Sequence, residues 1–128
     1  MPRVLMVDDD PMVCMAIEFC LQPLGFEVIV ADAGEACIDA LETSTFDLML
    51  VNILMPHSSG IETIRLFYQR PPAIPLIAMF GGAFAKLASP SPEFLRMTLE
   101  LGATCCLRKP FTPDALLAAV NQCLTSRQ

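Results

Sequence analysis

Tryptophan is missing from this 128-residue chain, which has one tyrosine, one histidine and eight lysines and arginines against fourteen acidic residues. With a net charge of -6 and a pI near 4.5, it has no stripe of cations to follow a phosphate backbone, which excludes nucleic-acid binding. The lone histidine, His57, is read as an exposed loop residue, and the six cysteines (Cys14, Cys20, Cys37, Cys105, Cys106, Cys123) lack CxxC spacing, which together exclude an ordinary zinc site. Most of these cysteines fall at apolar positions and read as small buried hydrophobes. Although 54% of the residues are hydrophobic, no uninterrupted apolar run reaches the roughly 18 residues that a membrane span needs. Met1-Pro2-Arg3 runs straight into an apolar stretch and leaves no room for a signal peptide, so a soluble, cytoplasmic protein is expected.

What is present is a regular alternation. Short apolar runs at Val4 to Val7, Phe26 to Val30, Phe46 to Val51, Ile74 to Met79 and Ala103 to Leu107 are separated by longer segments of helical period. The runs are too apolar for half-exposed strands, so five parallel strands covered on both faces are expected, in one α/β domain spanning 1–128. Helix punctuation agrees. Asp10-Pro11 reads as cap and first residue of a helix stopped by Pro23, and Gly34 to Leu41 carries a shorter helix. Ser59 with Glu62 forms a capping box for a helix towards Tyr68. Ser91-Pro92 and Thr112-Pro113 open the fourth and fifth helices, with Gly102 ending the fourth.

The polar residues gather where strands end: Asp8 and Asp9 after the first, Asn52 after the third, Lys109 after the fifth. In a parallel sheet those ends converge on one crevice, the usual ligand position of open α/β sheets. Adjacent carboxylates repel unless a cation neutralises them, and oxygen ligands with open positions suit Mg²⁺. A plainer alternative stays open, in which the acidic run caps the first helix and Lys109 pairs with it.

The segments Val4-Leu5-Met6-Val7-Asp8-Asp9-Asp10-Pro11, Phe46 to Pro56 with Gly60, and Lys109-Pro110-Phe111 together resemble the receiver domains of two-component response regulators, over essentially the whole chain. The resemblance implies a doubly wound, flavodoxin-like (βα)5 fold with sheet order 2-1-3-4-5. It makes Asp8 and Asp9 the acidic metal-binding pair, gives Leu54 a backbone carbonyl for the metal, makes Lys109 the phosphate contact, and gives Pro110 a cis peptide bond. It also implies a phosphorelay context, with a histidine kinase or phosphotransfer protein as partner.

Three positions depart from the family's pattern. Asn52 stands at the phosphoacceptor position, Phe80 where a hydroxyl residue follows the phosphoryl group, and Cys106 where a switching aromatic is common. An Asp-to-Asn variant of an ordinary Mg²⁺-dependent receiver accounts for one departure. A receiver that no longer relies on aspartyl phosphate accounts for all three, and is the reading adopted, with Mg²⁺ bound weakly. An enzyme is not expected, because the crevice lacks an aspartate nucleophile at 52 and a general acid. A stand-alone domain without an output module is expected, acting through protein contacts. Phe94, Leu95, Met97, Leu99 and Leu101 sweep an apolar arc of about 200° on the fourth helix, and the fifth is similarly broad around Leu117. Such area marks an interface, and in the family the face of helix 4, strand 5 and helix 5 serves homodimers and output partners. The first helix, with Met12, Val13, Met15, Ile17 and Phe19, offers a second contact face.

Overall fold

A computed structural model of the chain describes residues 2–31, 35–53, 65, 74–81 and 92–126, leaving aside the side chains of 35–38, 94 and 126. Five strands, β1 (Arg3–Val7), β2 (Glu27–Ala31), β3 (Leu48–Asn52), β4 (Leu76–Gly81) and β5 (Cys105–Lys109), form one sheet in the order β2-β1-β3-β4-β5, with every pairing parallel. The described helices are α1 (Pro11–Leu21), α2 (Glu35–Thr43), α3 (Pro92–Glu100) and α4 (Pro113–Ser126). Hence α3 and α4 are the fourth and fifth helices of the sequence pattern. The helix expected from Ser59 lies outside the described residues.

Period-two alternation divides the strand residues between two cores. Val4, Met6, Leu48, Leu50, Ile77, Met79 and Leu107 face α1 and α4, where Ile17, Leu21, Leu116 and Val120 meet them. Leu5, Val7, Met49, Val51, Leu76 and Ala78 face the other way, with Leu41 of α2, Leu95 of α3 and Leu101, just past the end of α3, packed against them. Both faces are therefore covered, and β3, central in the sheet, is buried along its whole length.

Helix ends follow the expected chemistry. Asp10 has extended backbone, and its Oδ1 accepts from the Met12 amide at 3.0 Å; Thr112 Oγ1 accepts from the Ala115 amide at 3.1 Å. After Leu21 the chain tightens into a 3₁₀ turn, Gln22–Leu24, containing Pro23, and Gly25 at φ 92 releases it, with the Phe26 amide donating back to the Leu21 carbonyl.

Strands β2 to β5 lie one or two residues further along the chain than the apolar runs suggested. Phe46, Ile74 and Ala103 are buried ahead of their strands, filling the lower edge of the core, while the ladder continues into Asn52, Gly81 and Lys109. The polar Asn52 and Lys109 are thus strand residues, held in the ladder. At the opposite end, the Arg3 amide donates to Asp47 at 2.8 Å, and the Arg3 guanidinium reaches Glu27 at 3.2 Å and lies over the Phe46 ring.

Gly81, paired with Lys109, has φ 96, and a Cβ added there would sit 2.7 Å from the Lys109 carbonyl oxygen. Gly81→Ala should therefore lose about 1–3 kcal/mol from backbone strain and overpacking. A urea melt checks this; an unchanged midpoint would mean that β4 and β5 separate there at no cost.

Candidate functional site

The site is built around Asp8, the residue after β1, whose side chain is fully buried. Lys109, the last residue of β5 and itself 5% exposed, donates from Nζ to Asp8 Oδ2 at 2.7 Å. On the other oxygen, Oδ1 accepts from the Asp10 amide at 2.9 Å and from Asn52 Nδ2, at the end of β3, at 3.3 Å. One carboxylate thus gathers an ammonium, a backbone amide and a carboxamide from three strand ends. Removing two charges from water is costly, and the pair is stable only because these further donors satisfy the remaining lone pairs of Asp8.

The surroundings are acidic on one side. Asp9 is exposed and, with Asp8, Pro11, Cys14, Met15, Glu18 and Val30, lines an open cleft of about 330 Å³ beside α1. Cys14 donates from Sγ to the Asp8 carbonyl at 3.6 Å. Its thiol is pushed up to about 11, first by burial and then by the charge of Asp8, so it stays protonated and inert.

Comparison with known proteins places this geometry. The family model of the response regulator receiver domain matches residues 4–121. The chain belongs to the response regulator receiver domain family. It is 35% identical to the transcriptional regulatory protein CpxR of Escherichia coli over 126 residues, covering 97% of this chain and 50% of that protein. It is 30% identical to the sensor protein GacS of Pseudomonas syringae, covering 93% of the chain and 13% of that protein. Against the CheY-like receiver domain protein from Methanospirillum hungatei the TM-score is 0.85 at 27% identity, covering 99% and 96% of the two chains. The Francisella response regulator 1452 receiver domain gives 0.84 at 25%, with full coverage of both. The chain spans about half the length of the curated transcriptional regulators it matches first.

Receiver domains typically bind Mg²⁺ at the phosphorylation site. In this chain the donor set fits that ion only in part. Asp9 is open, but both oxygens of Asp8 are already engaged and Asn52 offers a neutral amide. Among the described residues no group of three histidine, cysteine or acidic side chains is placed to hold a metal. Leu54, whose carbonyl the resemblance assigned to the metal, lies outside the described residues, as do His57 and Gly60. The Lys109-Pro110 peptide bond is cis.

Of the remaining residues singled out from sequence, Phe80 and Cys106 are half-buried against the α2/α3 core. Burial, with Cys105 adding to it, pushes the Cys106 thiol up. Leu95 and Leu101 also pack on that core, Leu117 packs on the opposite one, and the Phe94 side chain is outside the described residues. Met97 and Leu99, at 39% and 45%, are the exposed large apolar residues among those described on α3. A broader exposed patch lies on α1, with Met12 at 71%, Phe19 at 75% and Met15 beside them, joined by Val30 of β2. Periodicity could not rank the two faces, because burial depends on which helix the sheet leaves uncovered.

Two variants probe the charge balance. Lys109→Met would leave the Asp8 carboxylate buried without a cation and should cost about 3–5 kcal/mol in chemical denaturation; a loss below about 1 kcal/mol would show that water reaches Asp8. Asn52→Asp places a second carboxylate beside the first and should cost about 1–3 kcal/mol in a chelator at neutral pH. Millimolar Mg²⁺ should reverse that loss in the variant and change the thermal midpoint of this chain little.

Proposed function

We propose that this receiver domain signals through protein contacts without an aspartyl phosphate. The observation that carries the reading is the Asn52 amide donating to Asp8, while Lys109 is held by the same carboxylate. A carboxamide is a poor nucleophile that forms no acyl phosphate, and here it belongs to a crevice that balances its own charges without a phosphoryl group. Phe80 adds to this by filling space near the end of β4, so that packing sets the conformational equilibrium in place of a ligand. Mg²⁺ binding, through Asp8, Asp9 and the Leu54 carbonyl, is weaker than at a site with an acidic residue at 52, by about tenfold or more.

Receiver domains interact with histidine kinases or phosphotransfer proteins. We assign this chain a partner of that kind, met in the cytoplasm, with no catalytic turnover of its own and with neither nucleic acid nor membrane as a partner. In this role the chain is an adaptor or a competitor for a kinase, and the α3-β5-α4 face is available for a homodimer.

A second reading is favoured by the Asp8–Lys109 pair that stands beside residue 52, with Asp9 next to Asp8 in the chain. It takes the chain as an ordinary Mg²⁺-dependent receiver in which asparagine replaces the phosphorylated aspartate. Intact mass after incubation with Mg²⁺ and a small-molecule phosphodonor separates the two. This chain should remain unmodified. An Asn52→Asp variant that also stays unmodified supports the adaptor; one that gains a phosphoryl group favours the ordinary switch, and a phosphoryl group on this chain itself would end the first reading.

A further inference from the structure

Met12, Met15 and Phe19 recur at helical spacing along α1, on the side turned from the buried Cys14, Ile17 and Leu21, and stand in water. Leu24 on the following turn and Val30 of β2 are exposed as well. Five of the seven large apolar side chains exposed among the described residues thus belong to α1, its turn and β2, which makes this the main apolar surface of the described chain. Scattered exposed apolar residues need no explanation, whereas a contiguous set marks a contact surface.

Two clefts show that the set is contiguous and give it a shape. The acidic cleft of about 330 Å³ has Asp9, Met15, Glu18 and Val30 in its walls, and a second, of about 440 Å³, is formed by Met15, Glu18, Phe19, Gln22 and Pro23. Sharing Met15 and Glu18, they make one groove along α1, about three turns or 16 Å long. Every charged side chain that lines it is acidic. The groove faces the β2 edge of the sheet. α1 lies over β2, whereas α4 lies over β3, β4 and β5, so this flank of α1 is turned away from α4 and from the α3-β5-α4 face.

We propose that this groove docks an amphipathic helix of a protein partner, with apolar residues laid on Met12, Met15 and Phe19 and lysines or arginines on Asp9 and Glu18. Such docking presupposes the protein-contact function proposed above, and gives it a surface and a partner chemistry. Charge chooses the occupant. A second copy of this chain would bring the same carboxylates to the groove on a molecule of net charge -6, and like charges in contact work against binding. Nucleic acid and anionic lipid meet the same repulsion. A basic helix is attracted to the groove, and its apolar face removes the α1 stripe from water, the helix-in-groove mode of recognition. Phe19 is the anchor, as the exposed aromatic beside the deeper apolar cleft.

The test titrates the whole chain into a dye-labelled synthetic helix with leucines on one face and lysines on the other, read by fluorescence anisotropy, and maps amide shifts on the unaltered chain. Expected are saturable binding that weakens as salt is raised and shifts centred on α1 and Val30. Phe19→Ala should weaken binding about tenfold or more and Glu18→Gln about threefold, while Asp39→Asn, an exposed carboxylate on α2, changes nothing. Binding that requires Mg²⁺ and a phosphodonor yet still depends on Phe19 supports the surface and counts against the phosphate-free function. Absence of saturable binding, equal binding of a peptide with glutamate in place of lysine, shifts confined to α3 and α4, or a dimer of the chain that Phe19→Ala abolishes would overturn the proposal. The shift map of the unaltered chain decides this even if a variant fails to fold.

Discussion

A lysine and an aspartate 101 residues apart in the chain meet at 2.7 Å, both buried, and the arrangement of the carboxyl end of the sheet depends on that contact. β1 and β5 are not neighbours. β3 and β4 lie between them, which on a flat sheet is about 14 Å of separation, so the pair forms only when each intervening register is in place. Gly81 is part of this requirement, because β4 must pass against the backbone of Lys109 with no side chain between. The ion pair and the sheet order therefore specify each other: a slip in any ladder would leave two buried charges apart, at a cost that the domain's small net stability could not absorb.

The same contact gives residue 52 its meaning. A carboxylate there would compete with Asp8 for Lys109 and call for an external cation. An amide instead donates to Asp8 and leaves Lys109 where it is. The acidic pair is split by environment, with Asp8 buried and hydrogen-bonded and Asp9 in water beside the cleft along α1. Asp10 takes no part in the crevice through its side chain, since it caps α1. The plain reading of the acidic run, as helix cap and lysine partner, thus describes the contacts formed among the described residues, and the chemical reading describes what the same groups would do if a cation displaced Lys109.

Both faces of the sheet are covered, but unequally. Along α3 and the turn after it the apolar residues divide between those folded onto the sheet, Leu95 and Leu101, and those left in water, Met97 and Leu99. On α1, Ile17 and Leu21 close the core while Met12, Met15 and Phe19 stand out from it next to the acidic cleft. A partner that brings apolar and basic groups would find both on that side.

From the sequence alone came the five apolar runs, the caps at Asp10 and Thr112 and the set of polar residues at strand ends, because these are local: period, proline placement and side-chain hydrogen bonding act within a few residues. Strand limits were legible only to within two residues, since apolar side chains such as Phe46 and Ile74 bury themselves before the ladder begins and polar ones such as Asn52 and Lys109 remain in it. Sheet order, the choice of Asp8 over Asp9 as the partner of Lys109 and the larger exposed patch on α1 were decided by tertiary structure. Each depends on which segments distant in sequence come to share a face, and neither the composition nor the periodicity of any one segment encodes its neighbours.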